Sequence, residues 1–402
     1  MNNVVKIGPG LTRTPLPIGF TTSGINCGVR KYRPDLGIII SEFKANTVGV
    51  FTLNQFKAAP VLYSQKLVPS SEIRAIITNS GQANAATGEL GMQHNLRMVA
   101  KVAEVLNCEN DQVLAASTGV IGQHLAIEKI ESGIHELIER RLNSAEAFAT
   151  SILTTDLIPK SAYIDLDLCQ GKVRLTGICK GSGMIHPNMG TMLGYILTDA
   201  VVDLKLSQKF LKQAVDHSFN MISVDGDTST NDCVFMMSNG ASKIELISKE
   251  DEEKFYFALE SLCQTLAQSI ARDGEGATKL IEVQINGAPD LEIARRAARG
   301  VTLSPLVKTA IHGEDPNWGR ILARLGAEQV PAYCFENMSL TIQGTKVFSQ
   351  GAVIEFDRAE VRSALKTDTV IIKVDLQAGD LSATAWGCDL SSKYVEINTE
   401  YS

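Results

Sequence analysis

Short apolar runs rich in β-branched residues alternate with amphipathic helical patterns along this chain, and this alternation limits the folds that it can adopt. Helical spacing of apolar residues marks the stretches 90–106, 123–141, 207–220 and 251–271. The predicted strands are 36–41, 48–53, 73–79, 173–179 and 192–198. This pattern predicts an α/β (α+β) fold in which layered mixed sheets are covered by helices.

The pattern changes beyond residue 284. A helical stretch at 289–299 is followed by short strand-like runs at 338–343, 352–356, 369–375 and 393–397. We therefore expect a main layered domain over residues 1–286 and a smaller C-terminal α+β domain over 287–402, with the boundary near Gly287.

Charge and composition argue against several classes of protein. The 402 residues carry a formal net charge of −7, which does not suit binding to a phosphate backbone, so no nucleic-acid partner is expected. We see no secretory leader and no apolar run long enough to span a bilayer, which predicts a cytoplasmic protein with no membrane partner. The eight cysteines form no CxxC pair and are expected to be reduced thiols.

The least ordinary segment is 180–200, KGSGMIHPNMGTMLGYILTDA. Gly181, Gly183, Pro187 and Gly190 crowd the stretch before Thr191, and an apolar strand-like run follows it. The Gly190–Thr191 bond is therefore predicted to lie where a tight loop enters a buried strand. On spacing alone, a glycine-rich turn that feeds a strand is the favoured interpretation, because such turns are common.

A threonine at such a junction suits an N-terminal nucleophile. A hydroxyl needs an adjacent base to attack a carbonyl. Cleavage before Thr191 would free an α-amine with an ordinary pKa of about 7.7–8.0, which can accept the hydroxyl proton within the same residue. The same hydroxyl can attack the Gly190 carbonyl to make the cut, and glycine tolerates the backbone angles that expose that carbonyl.

The segment KGSGMIHPNMGTML resembles the self-processing signature of the ornithine acetyltransferase family, also called bifunctional glutamate N-acetyltransferase/amino-acid acetyltransferase. Other similar segments follow in order along nearly the whole chain: GVFTLNQFKAAPV (49–61), NSGQANAATG (79–88), STGVIG (117–122), TTDLIPK (154–160), SVDGDTSTND (223–232), ARDGEGATK (271–279), KTAIHGEDPNWGRI (308–321) and YVEINTEY (394–401).

The resemblance implies a self-processing N-terminal-nucleophile-like enzyme of arginine biosynthesis. Its precursor would split into an α chain, 1–190, and a β chain, 191–402, that stay together as a heterotetramer of two α and two β chains. The enzyme would move acetyl from N2-acetyl-L-ornithine to Thr191 and then to L-glutamate, with no cofactor and no metal. Bifunctional members also use acetyl-CoA, and the shared motifs leave open whether this chain does.

The resemblance also implies roles for individual residues. Thr191 matches the nucleophile, and Thr118 and Gly119 match the pair that binds the oxyanion. The matched substrate-binding positions are Thr154, Lys180, Thr191, Glu275, Asn398 and Ser402. The chain departs from the family at Gly190, where most members have alanine. It also departs at its end, NTEYS, where the family commonly has one more residue before the hydroxyl that Ser402 would supply.

Other interpretations stay open. A self-processing amidase or aminopeptidase would use the same threonine but pass the acyl group to water, and an uncleaved small-molecule-binding protein would use only the scaffold. Taken alone, STGVIG suits a serine/threonine turn, Lys180 a solvated lysine and Glu275 a helix-end loop. The acidic run with Asp225, Asp227 and Asp232 lacks the complete calcium-loop pattern, which favours a hydrogen-bonded loop over a cation site.

Overall fold

The computed structural model describes residues 13–186 and 192–400, so Gly190, Thr191 and Ser402 lie outside the described part of the chain. The chain divides into two compact units. The first unit comprises 1–181, 188–216 and 228–266, and the second comprises 182–187, 217–227 and 267–402.

The described residues form fifteen strands: β1 (Phe20–Ile25), β2 (Leu36–Phe51), β3 (Ser70–Gln82), β4 (Val113–Val120), β5 (Lys160–Leu168), β6 (Gly171–Lys180), β7 (Leu193–Thr198), β8 (Ile222–Ser223), β9 (Cys233–Ser238), β10 (Leu280–Ala288), β11 (Ser339–Ile342), β12 (Thr345–Ser349), β13 (Ala352–Val353), β14 (Thr369–Asp375) and β15 (Leu381–Cys388).

They also form twelve α-helices: α1 (Ala59–Leu67), α2 (Gly88–Leu106), α3 (Ile127–Glu139), α4 (Glu146–Ser151), α5 (Leu204–Asp216), α6 (Lys249–Arg272), α7 (Leu291–Leu303), α8 (Pro305–His312), α9 (Trp318–Ala327), α10 (Cys334–Asn337), α11 (Arg358–Ala364) and α12 (Ser392–Glu400). Short 3-10 turns lie at Asn110–Gln112 and Phe219–Met221.

The first unit is built on an eight-stranded mixed sheet. Its strand order is β4-β3-β2-β9-β7-β6-β5, and β1 pairs with β2 beside this path. β3 with β4 and β7 with β9 are parallel pairs, whereas β6 with β7 and β2 with β9 are antiparallel. The predicted fold class, mixed sheets covered by helices, is confirmed.

Side chains alternate between the two faces of this sheet, and both faces are buried. Leu36 and Ile38 of β2 pack with α2 and α3 in one apolar cluster, while Ile39 packs with Phe148 of α4 in the other. Because both faces are covered, the strands are apolar at consecutive positions rather than at every second one. This explains the continuous apolar runs in the sequence.

The runs predicted as two strands at 36–41 and 48–53 belong to the one long strand β2. Between them Glu42, Phe43 and Lys44 are exposed, and the pairing with β3 is irregular between Ile40 and Ala45. A bulge lets a strand continue through a polar interruption, so the change in composition does not end it.

The second unit contains a seven-stranded mixed sheet in the order β13-β12-β11-β14-β10-β15-β8. The helix α7 packs against strands β10 and β15 of this sheet. Gly287, where we expected the domain boundary, falls inside β10, so the structure divides the chain elsewhere. Strand pairing with β14 and β15 keeps β10 with the later residues.

The predicted strand at 393–397 is wrong, because these residues lie in α12. The hydroxyl of Ser391 accepts the N–H of Lys393 at 3.2 Å and donates to the Gly276 carbonyl at 2.6 Å, which fixes the start of the helix. No residue of α12 is buried, so the alternating pattern YVEIN has no sheet face to cover.

None of the described helices combines the length and apolar character needed to cross a membrane. All eight cysteines are free of disulfides, and five of them are buried.

Candidate active site

The strands on either side of the predicted cleavage site are aligned in one row of the first sheet. Lys180, the last residue of β6, pairs with Leu193, the first residue of β7. Leu193 in turn pairs with Cys233, the first residue of β9. Thr191, the predicted nucleophile, precedes β7 by two residues in the chain. The end of β6 and the start of β9 therefore lie on either side of the start of β7.

Lys180 is a buried lysine that contacts two predicted site residues. Its side chain is 1% exposed, and its Nζ donates to Thr154 Oγ1 at 3.0 Å and to Thr118 Oγ1 at 3.4 Å. An ammonium group only donates, so both hydroxyls accept from it and keep their own hydrogens for other acceptors. The structure thus brings together Thr118, Thr154 and Lys180.

A buried carboxylate, Asp156, balances this lysine. Its Oδ1 accepts Lys160 Nζ and the Gly181 N–H, each at 2.7 Å, and its Oδ2 lies 3.9 Å from Lys180 Nζ. Burial acts to raise the pKa of Asp156, but Lys180 and Lys160 outweigh it and hold the pKa below its ordinary value. Two ammonium groups therefore surround one ionised carboxylate inside the protein.

The end of β4 presents Thr118 and Gly119 in a fixed backbone. Gly119 has φ +131°, and a Cβ on it would lie 2.2 Å from the carbonyl carbon of Gly81 on β3, so only glycine fits. Asn231 Nδ2 donates to the carbonyls of Ser117, at 2.9 Å, and Ala83, at 2.6 Å. The peptide before Thr118 is thereby held in place, as a preorganised hydrogen-bond donor requires.

In the second unit, the structure brings Glu275 and Asn398 together. Asn398 Nδ2 donates to Glu275 Oε2 at 2.9 Å, and the Glu275 N–H donates to the Ser182 carbonyl at 3.0 Å. The Glu275 carboxylate lies against Gly183, where an added Cβ would be 2.4 Å from its Cδ. Of the predicted substrate residues in this unit, the two that the structure describes thus form a pair beside Gly183.

The acidic run 225–232 binds backbone N–H groups on both sides of the predicted cleavage site. Within the second unit, Asp225 accepts from Met184 at 2.6 Å and from Ile185 at 2.9 Å. Within the first unit, Asp232 Oδ1 accepts from Met192 at 2.7 Å. In the described ranges, no cluster of three or more His, Cys, Asp or Glu is arranged to hold a metal ion.

Sequence patterns did not single out Asp156 and Asn231 as site residues, and they placed Asp232 only in a loop. Both segments that contain them, 154–160 and 223–232, match the family, yet nothing local distinguishes these side chains. Partners such as Lys180 for Asp156 and Ser117 for Asn231 are distant in the sequence, so only the folded chain reveals them. The first unit combines buried ammonium groups, two threonine hydroxyls and the start of a strand, which suits acyl transfer to and from a hydroxyl.

The chain is similar to known proteins over nearly its whole length. Residues 21–402 match the ArgJ family. Arginine biosynthesis bifunctional protein ArgJ of Dehalococcoides mccartyi is 46% identical over 390 residues, with 96% of each chain covered. The protein of the same name from Thermotoga neapolitana is 45% identical over 394 residues, covering 96% of this chain and 99% of the relative.

A solved structure matches about half of the chain. It is the crystal structure of arginine biosynthesis bifunctional protein ArgJ from Bacillus halodurans, which is 41% identical with a TM-score of 0.50. The match covers 52% of this chain and 98% of that chain.

Proposed function

The chain belongs to the ArgJ family, and from that premise we propose that it is an acetyltransferase of arginine biosynthesis that passes acetyl from N2-acetyl-L-ornithine to L-glutamate through acetyl-Thr191. The observation that carries the proposal is the family match over residues 21–402, with 46% identity to a curated relative over 96% of the chain. The hydroxyl and ammonium groups gathered around Lys180 support it.

The first event in this proposal is self-cleavage. Thr191 Oγ attacks the Gly190 carbonyl carbon, the C–N bond breaks with a proton passing to the Thr191 nitrogen, and water hydrolyses the resulting ester. The solved ArgJ chain is covered over 98% of its length by 52% of this chain, a proportion that a two-chain enzyme would give. The products are chains 1–190 and 191–402.

Acetyl transfer then proceeds in two half-reactions. The Thr191 α-amine accepts the Oγ proton as Oγ attacks the acetyl carbon, and the departing ornithine amine takes a proton as its C–N bond breaks. L-Glutamate attacks the acetyl ester by its amine and regenerates the hydroxyl. Thr118 O–H and Gly119 N–H stabilise the oxyanion of each tetrahedral intermediate.

Substrate recognition, assembly and location complete the proposal. Thr154, Lys180, Glu275, Asn398 and Ser402 bind the amino-acid substrates, and Thr191 itself carries the acyl group, so no cofactor is needed. The two chains of each precursor remain associated as a cytoplasmic heterotetramer of two α and two β chains. Acetyl-CoA is a candidate second acetyl donor.

The experiment is a steady-state assay of the purified protein with acetylornithine and glutamate varied together. Parallel lines in a double-reciprocal plot are expected, because a covalent intermediate separates the two substrates. A second arm replaces acetylornithine by acetyl-CoA and decides whether the enzyme is bifunctional. Release of acetate without acetylglutamate, when both substrates are present, would instead establish an amidase.

Removing the Thr118 hydroxyl should slow catalysis without weakening substrate binding. Thr118→Val keeps the side-chain shape and loses one oxyanion donor, so we expect kcat to fall about 100- to 1000-fold with KM little changed. Thr118→Ser, which keeps the hydroxyl, is the matched control and should lie near wild type. A Val variant with a kcat within threefold of wild type would exclude the hydroxyl as a donor.

Neutralising Glu275 should weaken capture of an amino-acid ammonium group. Glu275→Gln keeps an acceptor for Asn398 and loses the charge, so we expect kcat/KM for acetylornithine to fall about 10- to 100-fold, the range for a lost charged hydrogen bond. Glu396→Gln is the control and should change little, because Glu396 lies in α12 with Asn398 but pairs with the exposed Lys393. Equal effects of both substitutions would contradict the assignment.

A further inference from the structure

A polar cavity of about 520 Å³ lies in the second unit, at one end of its sheet. Residues 278–279 directly precede β10, and residues 366–368 directly precede β14. Because β10 and β14 are parallel, with Leu280 beside Thr369, these two segments lie next to each other. The Leu280 N–H donates to the Asp368 carbonyl at 2.9 Å and ties them together. A cavity of this volume has room for a small molecule.

Every residue that lines the cavity in the described structure is polar, and the walls carry charges of both signs. The lining consists of two lysines, two carboxylate residues and two threonines: Thr278, Lys279, Glu314, Lys366, Thr367 and Asp368. None of them is a predicted substrate residue. Apolar ligands need apolar walls, so this lining suits a small polar ligand that itself carries both signs of charge.

Lys279 is the buried cation of the cavity. The residue is 8% exposed, and its Nζ donates to Glu314 Oε1 at 3.3 Å. An ammonium group has three N–H donors, and Nζ makes no second hydrogen bond to residues 13–186 or 192–400. A buried cation with unused donors gains from an anionic acceptor, and the cavity has the space for one.

Glu314 occupies a position that is unfavourable for a glutamate. It lies two residues beyond the end of α8, and its backbone has φ +56°, a left-handed conformation that glycine adopts far more readily. The helix dipole also disfavours a negative charge near the C-terminal end of a helix. Residues in such conformations are concentrated at sites that bind ligands, which makes this carboxylate a candidate for recognising one.

A buried carboxylate, Asp389, fixes the backbone that carries Lys279. Its Oδ1 accepts the N–H groups of Thr278 at 2.7 Å and Lys279 at 2.8 Å, and its Oδ2 accepts from His312 Nδ1 at 2.7 Å. Burial acts to raise the pKa of Asp389, but these hydrogen bonds outweigh it and hold the pKa below its ordinary value. The wall is therefore held in place before any ligand arrives, which lowers the cost of binding.

We propose that this cavity binds a free α-amino acid with a polar side chain, whose carboxylate accepts from Lys279 and Lys366 and whose ammonium group donates to Glu314. Asp368 contributes less, because it is exposed and lies 3.6 Å from Arg272. A simple anion would face repulsion from the Glu314 carboxylate, whereas a zwitterion satisfies both walls. The inference does not rest on the proposed function, since it concerns other residues and involves no chemical step.

The test is equilibrium dialysis of the purified protein against an equimolar mixture of the standard protein amino acids, with amino-acid analysis on both sides of the membrane. We expect enrichment of at least one amino acid on the protein side. Lys279→Met, Lys366→Gln and Glu314→Gln should each weaken its binding about 10-fold or more, the effect of one lost charged hydrogen bond. Lys366 is exposed, so Lys366→Gln decides the matter even if the buried Lys279→Met fails to fold.

Lys373→Gln is the matched control and should bind like wild type, since Lys373 is an exposed lysine of β14 that does not line the cavity. The inference is overturned if nothing is enriched, or if every enriched amino acid is lost in Glu275→Gln and kept in the cavity variants, which would place it at the substrate site. Loss in both lysine variants but not in Glu314→Gln would indicate a simple anion and also overturn it. Because no turnover is measured, an inactive enzyme would refute the proposed function and leave this result standing.

Discussion

Thr191→Ala will leave the protein as one uncut chain and lower acetyl transfer by about four orders of magnitude or more. The variant lacks the hydroxyl that attacks the Gly190 carbonyl, and without the cut no α-amine is available as a base. Removing a covalent nucleophile lowers kcat about as much as removing all the catalytic residues that act with it. Intact mass should therefore give a single species for Thr191→Ala and two for wild type.

Two further variants show whether a loss of cleavage comes from the missing hydroxyl or from a general disturbance of the structure at this bond. Thr191→Ser keeps a hydroxyl and should still cut. Gly190→Ala, which introduces the alanine that the family resemblance implies at this position, should cut like wild type. Each variant is checked for wild-type thermal melting before its activity is compared. Two chains from Thr191→Ala would contradict the assignment of the nucleophile, and full activity of an uncut chain would refute the need for the free amine.

Much of the first unit could be predicted from the sequence, because its elements are encoded locally. The apolar spacing at 123–141 and 251–271 indicates α3 and α6 within a few residues of their ends. The runs at 73–79 and 173–179 lie inside β3 and β6. Local patterns do not specify whether a strand continues through a polar bulge, as β2 does. They also do not specify whether an alternating stretch finds a sheet partner, which residues 393–397 in α12 do not.

The site itself was predictable only in part. The family resemblance predicts Thr118, Thr154 and Lys180 as site residues. In the structure, Lys180 Nζ donates a hydrogen bond to each of the two threonine hydroxyls. Asp156 and Asn231 act through partners on other strands, so a lone aspartate or asparagine in the sequence carries no signal of its contacts. Long-range pairing, not local propensity, creates these groups.

The second large effect that we expect is a loss of stability on removing the carboxylate between the two buried lysines. Asp156→Asn should lower the free energy of unfolding by about 3–5 kcal/mol, because Lys160 and Lys180 would remain buried without their shared carboxylate. Asp165→Asn removes the partner of the less buried Arg174 and is the matched control, for which a loss of at most about 1 kcal/mol is expected. Urea unfolding followed by circular dichroism measures both.

The pH dependence of unfolding distinguishes a lost charge from a general packing defect. In wild type the pKa of Asp156 is lower in the folded than in the unfolded chain, so its contribution is complete above about pH 4 and is lost as the pH falls further. In Asp156→Asn the buried lysines lose this carboxylate, and burial then favours their neutral form in the folded chain, so the unfolded chain binds more protons. The loss of stability of the variant relative to wild type should therefore shrink as the pH rises, by up to about 1.4 kcal/mol per pH unit. A uniform loss at every pH would mean that the carboxylate fills space rather than balances charge.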